Sequence, residues 1–455
     1  MTNLQRAAEV SAALSLFGAL VFGGASQGNA WPLAAAELLS LPGLAIGLGL
    51  TMLRWSPALR WPVVLLVAII SIPLLQLVPL PASIWTILPG RPQIVQALSV
   101  AGIAPIAQPW SLTPGATFHS LLALSPAIAV FLITPHLTLP GRIRLVVLTL
   151  GVAMTGVVLG IAQVAGGPES PLRFYSQTNL TSGVGFFSNR NHQAGALACM
   201  IPLAAAWASG GERHDRAVDR LLNRIALALG AVFIVGVAVS GSRAGVLLAI
   251  AAVIGGFALR GRSEFSNRVP VLLGLGAAAL VLMLAAQAGQ FPVLERFSHE
   301  PALDLRWQAA PLVVSAARTY FPFGSGIGSF IPIYQTVEQP WILGAEIFNH
   351  AHDDYLEITL EAGLAAWIIF AGFMAWWLRL SLSIWRSRAG DAMTKLSCAG
   401  SVVATLLLVH SAVDYPLRTV ALETLFAFAL GLMVRLPRGN GKTTPALYTA
   451  PAVRP

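Results

Sequence analysis

Charged residues are scarce in this chain. Only 10% of its 455 residues are Asp, Glu, Lys or Arg, whereas a soluble domain carries about 25%. Hydrophobic residues make up 56% of the chain, and the mean hydropathy is +0.73. This composition excludes an ordinary soluble domain and indicates a polytopic membrane protein.

Cysteine is also scarce, and several common motifs are absent. Cys199 and Cys398 both fall in apolar stretches, so no disulfide is expected and neither residue indicates the compartment. The sequence has no Gly-x-Ser-x-Gly, Walker or zinc-protease motif, which leaves hydrolase and ATPase functions without support. The net charge is +9, but the basic residues do not cluster on one soluble segment, so nucleic-acid binding is not expected.

Long apolar runs dominate what is present. A helix needs about 20 apolar residues to cross a membrane. That length predicts an all-α polytopic membrane protein of about twelve transmembrane helices, with one large periplasmic loop containing short helices. The predicted spans are 7–25, 33–53, 62–80, 119–135, 145–165, 191–209, 225–240, 244–259, 269–288, 356–378, 396–413 and 419–434. The run after Arg6 is interpreted as the first span and not as a removed signal peptide.

These spans divide the chain into four predicted regions. The regions are 1–288 (helices one to nine with short loops), 289–355 (the large catalytic loop), 356–436 (the last three helices) and 437–455 (a disordered cytoplasmic tail).

The distribution of basic residues predicts the orientation. With the N-terminus inside, only eight of the 28 basic residues fall on the outer side: Arg91, Arg173, Arg190, Arg243, Arg296, Arg306, Arg318 and Arg418. An excess of Lys and Arg marks cytoplasmic loops. Both termini are therefore expected in the cytoplasm, and the loops 81–118, 166–190, 240–243 and 289–352 outside, so chemistry is expected on the periplasmic face.

The segment 289–363 concentrates ionisable residues, which in a membrane protein favours a functional loop. An amphipathic helix is predicted from Asp304 to about Arg318, with Trp307, Ala310, Leu312 and Val313 available for burial. Arg306 near its start has a simpler interpretation, a local ion pair with Asp304. The glycine-rich stretch 322–330 predicts a tight turn with exposed backbone amides, but lacks the Gly-Lys-Ser/Thr ending of a phosphate loop.

Two histidines and two aspartates follow within residues 350–354. A metal site, a general base and a purely structural polar collar are all compatible with this composition. His350 and His352 would share a face only in an extended segment and no third ligand is marked, so no metal is predicted. An imidazole beside carboxylates suits a general base, because its pKa lies near working pH. Glu357 and Glu361 should face a protein-lined or watery interior.

Two further polar positions lie at predicted outer helix ends. Arg190, Asn191 and His192 begin the sixth span, and Asn189 can cap it. Arg243 lies in the short turn 240–243 between two spans. Each arginine is either an anchor for lipid head groups or a cation beside a lipid-linked anionic substrate.

Taken together, these residues resemble the O-antigen ligase family of bacterial envelope glycosyltransferases, which shares a fold and motifs with Wzy-type polysaccharide polymerases. The resemblance covers about residues 180–365. Its features are Arg-x-x-x-Leu at 243–247, the loop arginine Arg306, the stretch 322–330, which is similar to the family's Pro-x-x-Gly-x-Gly pattern, and the spacing from His352 to Gly363. The chain departs from the family pattern at Arg190 (inside an Asn-x-Asn element), Asp353 and Ala366.

The resemblance implies glycan transfer at the outer face of the bacterial inner membrane, without metal or nucleotide cofactor. The donor would be a glycan on undecaprenyl diphosphate, and the acceptor lipid A–core, another lipid-linked glycan or a protein. Arg243 and Arg306, with Arg190 as a third cation, would hold the diphosphate. His352 would accept the proton of the acceptor hydroxyl, and Asp353 or Asp354 would orient the imidazole of His352. The residues expected to contribute to substrate binding are Arg190, Asn191, His192, Asp353, Asp354 and Tyr355.

Several alternatives remain open. A ligase and a polymerase differ mainly in the acceptor, and ligase-type or unspecified surface-glycan transfer is favoured because both family spacings are present. Protein O-glycosylation is a further possibility. A transporter or flippase would be expected to place charges near mid-span and on both faces. A structural scaffold would not need the Arg and His positions.

Overall fold

The computed structural model of this protein describes residues 3–25, 30–209, 216–259, 305–340, 348–387 and 389–437. Within these ranges the regular secondary structure is helical, apart from one antiparallel pair of two-residue strands, β1 (Pro79–Leu80) and β2 (Gln108–Pro109). The helices are α1 Asn3–Phe22, α2 Ala30–Leu53, α3 Arg60–Gln76, α4 Ala82–Trp85, α5 Pro92–Val100, α6 Pro114–Ala123, α7 Ser125–Ile133, α8 Leu139–Ala165, α9 Arg190–Ala208, α10 Arg216–Ser240, α11 Arg243–Ala258, α12 Leu305–Tyr320, α13 Phe330–Val337, α14 Asp354–Arg386, α15 Ala392–His410 and α16 Val420–Met433. Short 3-10 turns occupy Pro57–Leu59, Thr134–His136 and Pro416–Arg418.

The described helices define a polytopic membrane protein. Eight helical stretches are long and apolar enough to cross a membrane: Asn3–Phe22, Ala30–Leu53, Pro57–Gln76, Pro114–His136, Leu139–Ala165, Ala217–Ser240, Asp354–Arg386 and Ala392–His410. The shorter apolar helices α11 and α16 accompany them. The all-α membrane fold is thus confirmed. The predicted number of about twelve spans is confirmed only in part. The predicted span 269–288, the residues 289–304 and the tail 438–455 lie outside the described residues.

Proline affects two of the predicted spans. The span expected over 62–80 ends at Gln76, and Pro79 already belongs to β1. The span expected over 119–135 lies within the single apolar stretch Pro114–His136, in which α6 ends at Ala123 and α7 begins at Ser125 with Pro126 in its first turn. Proline lacks the backbone N–H that a continuing helix would need, but it fits the first turn of a new helix.

Helix α9 lies at the centre of the bundle. It packs against α8, α10, α11 and α15, and nearly every residue along it is buried. Its sequence is rich in alanine and glycine, and such small side chains let membrane helices approach closely. The polar first turn of α9 is therefore carried into the middle of the protein, among the ends of its neighbours.

A second, smaller core forms where α12 and α13 pack on α14 and the segment before it. Ala309, Val313, Tyr334 and Leu360 are among its buried members. The predicted amphipathic helix is confirmed as α12, but the burial expected for Trp307 is wrong, since 67% of that residue is exposed.

A kink in α14 receives the glycine-rich stretch 322–330. Gly363 has φ 58° and ψ −136°, which interrupts the helical hydrogen-bond ladder. The freed carbonyls of Leu360 and Glu361 accept from the amides of Ser325 and Gly326, each at 2.9 Å. The expectation that the amides of this stretch are exposed is wrong for these positions, because the kinked helix binds them.

Candidate active site

Asp414, in the loop between α15 and α16, is the centre of the polar site. Its side chain is fully buried. The Nδ1 atom of His352 lies 2.9 Å from Oδ1, and the amide Nδ2 of Asn191 donates to Oδ2 at 2.6 Å. The carboxylate that orients His352 is therefore Asp414. The expectation that Asp353 or Asp354 does so is wrong, because both carboxylates are bound elsewhere.

Asp414 is held in its charged form. Burial opposes the charge, but the hydrogen bond from His352 and the positive charge of Arg306 outweigh it and hold the pKa of Asp414 well below its usual range. Arg306 reaches the same loop, where Nη1 donates to the carbonyl of Val413 at 3.3 Å. A carboxylate at Nδ1 fixes the imidazole tautomer and leaves Nε2 able to accept a proton.

The ring of Tyr415 packs against three histidines. His350 stacks on it with ring centroids 4.2 Å apart, while His352 and His192 approach edge-on at 4.8 and 4.7 Å. Its hydroxyl accepts from the amide of Asn189 at 3.2 Å. Tyr415 thereby restricts the rotation of the imidazole whose Nδ1 faces Asp414.

Two of the surrounding histidines are completely buried. Among the described residues, neither ring nitrogen of His192 or of His410 has a hydrogen-bond partner. His410 Nε2 lies 4.0 Å from Asp414 Oδ2. The direct contact of His192 with substrate stays a prediction.

The predicted arginines Arg243 and Arg190 lie at the N-termini of α11 and α9. Ser242 caps α11, accepting from the amide of Gly245 at 3.0 Å, and donates to Oδ1 of Asn191 at 2.8 Å. The two helix N-termini are thus joined directly. The positive ends of both helix dipoles add to the charge of the arginines, of which Arg243 is exposed and Arg190 half-buried.

A buried ion cluster surrounds Arg418 beside this site. Nη1 of Arg418 donates to Glu361 at 2.5 Å, and Nε lies 3.6 Å from both Glu357 and Asp354. Burial opposes the charge of Arg418, but the carboxylates of Glu361 and Glu357 outweigh it and raise its pKa. The expectation that Glu357 and Glu361 face a protein-lined interior is confirmed.

His350 belongs to the same cluster. Its Nδ1 lies 2.8 Å from Glu357 Oε1, and the other oxygen of Glu357 accepts from the amide of Ala351 at 2.8 Å. Burial lowers the pKa of His350, but the charge and hydrogen bond of Glu357 outweigh it, so the pKa is raised. The cluster therefore holds the segment that carries His352, whose own φ is +53°.

The three residues after His352 have clear partners in the fold. Asp353 caps α14 and accepts from the amides of Tyr355 and Leu356. Asp354 accepts from the hydroxyl of Ser411 at 2.8 Å, and the Tyr355 hydroxyl donates to the carbonyl of Leu408 at 2.7 Å. Their predicted substrate contacts stay predictions.

Sequence reasoning did not identify four residues of the site: Asp414, Tyr415, Arg418 and His410. Arg418 carried a signal, since it lies on the predicted outer side against the charge bias. The second signal was a His, an Asp and an Arg within the nine residues 410–418, where one span ends and the next begins. Within the described residues, no group of three His, Cys, Asp or Glu side chains is arranged to hold a metal ion.

The fold and the site define a class: a polytopic helical membrane protein with a histidine–carboxylate pair and arginines where several helix ends meet. Residues 227–371 match the family model Wzy_C, described as O-Antigen ligase. The chain therefore carries an O-antigen ligase domain, which confirms the resemblance in its sequence and indicates a membrane glycosyltransferase of the O-antigen ligase and Wzy polymerase family. The matched range includes Arg243, Arg306 and His352. No curated protein matches the chain.

Proposed function

We propose that this protein is an inner-membrane glycosyltransferase that moves a glycan from undecaprenyl diphosphate to an acceptor hydroxyl at the periplasmic face, as an O-antigen ligase does. The observation that carries the proposal is the pair of His352 and buried Asp414, next to Arg306. His352 and Arg306 both belong to the matched domain.

The proton transfer is assigned to His352. The acceptor oxygen forms a bond to the anomeric carbon as Nε2 of His352 takes the hydroxyl proton. The bond between that carbon and the phosphate oxygen breaks, and undecaprenyl diphosphate leaves with the electron pair. Asp414 stabilises the resulting imidazolium through Nδ1. A single displacement of this kind inverts the anomeric centre.

The leaving diphosphate is assigned to the arginines. Arg243 and Arg190 are the first residues of their helices, and helix N-termini favour phosphate groups. Arg306 lies in the first turn of α12. Guanidinium groups bind phosphate through paired, charge-assisted hydrogen bonds and stabilise the charge that grows on the leaving group. These cations supply the charge for a metal-independent reaction.

The position of the polar site favours an enzyme over a transporter. Asn191, Ser242 and Asp354 lie at the starts of α9, α11 and α14, and His410 at the end of α15. A transporter is expected to bind its substrate near mid-membrane, on broken helices. A polymerase would use the same chemistry with a different acceptor.

The test uses purified protein in lipid vesicles, supplied with the lipid fraction from a strain lacking this gene. We expect His352→Ala to lower the release of undecaprenyl diphosphate by at least about 100-fold, because it removes the general base. Arg306→Ala should lower this release by a similar factor, because it removes a positive charge that stabilises the leaving group. Arg318→Ala, an exposed position on the same helix, is the matched control and should retain activity. Full activity in both site variants would contradict the proposal.

A further inference from the structure

Asn191 joins two parts of the site that are far apart in sequence. Its Nδ2 donates to Asp414, and its Oδ1 accepts from Ser242, the residue before Arg243. Asp414 in turn binds Nδ1 of His352. We propose that Asn191 is a positioning residue that holds Asp414, and through it His352, and that Ser242 fixes the orientation of Asn191. The inference rests on the proposed function of His352.

The direction of the Asn191 amide follows from its two partners. The ionised Asp414 carboxylate can only accept, which places the donor Nδ2 of Asn191 at Asp414. Oδ1 of Asn191 then faces Ser242, whose oxygen accepts from the amide of Gly245 at 3.0 Å and whose hydroxyl proton is available to donate to Oδ1. A reversed amide would set Oδ1 against the Asp414 carboxylate, an arrangement of two acceptors.

Burial makes this amide hard to replace. Asn191 is 7% exposed, Ser242 1% and Asp414 0%. A buried carboxylate that loses a hydrogen bond cannot recover it from bulk water. His410 Nε2 lies 4.0 Å from the same oxygen of Asp414. Without Asn191, the carboxylate can rotate toward His410 and away from the imidazole that it orients.

A positioning role and a substrate-binding role differ in their kinetics. With the lipid fraction as donor, we expect Asn191→Ala to lower kcat by about 10- to 100-fold, the loss of a hydrogen bond to a charged group. KM should stay within about twofold of wild type. A raised KM with unchanged kcat would mean that Asn191 binds substrate, and would overturn the inference.

Ser242 gives a second, independent variant if Asn191→Ala does not fold. Ser242→Ala removes the hydroxyl donor and should lower kcat in the same way, while Ser242→Thr keeps it and should restore activity. Thr138→Ala is the matched control, since Thr138 caps α8 by accepting from Gly141. It loses a helix cap and should keep the wild-type kcat. An equal kcat for Ser242→Ala and Thr138→Ala would overturn the inference.

The failure of this inference can be told apart from that of the proposed function. Full activity of His352→Ala would reject both. An inactive His352→Ala together with wild-type kcat for Asn191→Ala and Ser242→Ala would reject the positioning role alone.

Discussion

At the scale of single residues, the site depends on the hydrogen bonds that the buried Asp414 carboxylate accepts. Its two oxygens accept from His352, from Asn191 and from the backbone amide of Tyr415 at 3.1 Å. A buried carboxylate is stable only when its hydrogen bonds and nearby positive charges outweigh its desolvation. The loop 411–415 is thereby fixed by the same contacts that orient the imidazole.

The lowered pKa of Asp414 predicts how its contribution to stability depends on pH. Its folded pKa lies below the unfolded value of about 3.9, so the stabilisation is present above about pH 4 and is lost as the pH falls through the folded pKa. We therefore expect Asp414→Asn to lower the Tm in detergent near pH 7, and the difference from wild type to shrink below about pH 4. Thermal unfolding across this range measures it.

The control for this experiment is Asp219→Asn, which replaces a single carboxylate in the first turn of α10. A Tm difference between wild type and Asp414→Asn that stays constant down to about pH 3 would contradict the ionised, stabilising Asp414.

Asp414 also shows where a single sequence stops being informative. His352, Arg306 and Arg243 could be selected because each follows a local pattern or opposes the charge bias. Asp414 lies 62 residues after His352 and belongs to no local motif. Its role arises because α9, α14 and α15 bring their ends together, and that packing is set by burial of many small side chains.

At the scale of elements, the kink at Gly363 explains the sequence spacing from His352 to Gly363. The His352 segment enters α14 at its N-terminus, and the kink lies nine residues after Asp354. There the helix turns its free carbonyls to the glycine-rich stretch, while Leu364 donates to the carbonyl of Pro322 at 2.9 Å. Two sequence motifs are therefore one structural unit, which fixes α12 relative to α14.

Gly363→Ala should be strongly destabilising. Its φ and ψ are accessible to glycine but not to alanine, and an added Cβ would collide with the backbone of Pro322 and Gly324. We expect a loss of at least about 2 kcal/mol in the free energy of unfolding, seen as a lower Tm or a loss of folded protein.

Gly372→Ala is the matched control for this variant in the same helix. An added Cβ there would meet only a side-chain atom of Leu65, at 3.5 Å, which is an ordinary contact. Equal Tm values for the two alanine variants would contradict the structural role of the kink.

At the scale of the whole molecule, the proposed site and the inner basic loops lie at opposite helix ends. Asp354 begins α14, whereas Arg379 and Arg386 lie near its C-terminal end. Arg142 and Arg144 occupy the first turns of α8, and its far end leads to the segment before α9. The positive-inside rule therefore predicts that the proposed site faces the periplasm.

Cysteine labelling tests this orientation directly. Cys199 and Cys398 are both buried, so the unmodified protein should give little background. A membrane-impermeant maleimide applied to cells with a permeabilised outer membrane should label Val100→Cys, on the site side. It should label Gly390→Cys, between α14 and α15, only after lysis. The reverse pattern would place the site in the cytoplasm.

The sequence predicted the helical membrane fold well, because apolar runs and charge bias are local properties. Eleven of the twelve predicted spans coincide with helices, and the remaining one falls outside the described residues. Helix α9 begins with four polar residues, and their burial depends on contacts with neighbouring helices that a single sequence does not reveal.

The proposed transfer of glycan from a lipid carrier is tested most directly by measuring the lipid-linked glycan pool in a strain lacking the gene. We expect long glycan chains to accumulate on undecaprenyl diphosphate while the acceptor stays bare, and expression of the wild type, but not of His352→Ala, to restore the pool. Single repeat units on the carrier, with at most one on the acceptor, would identify a polymerase instead. An unchanged pool would contradict the account.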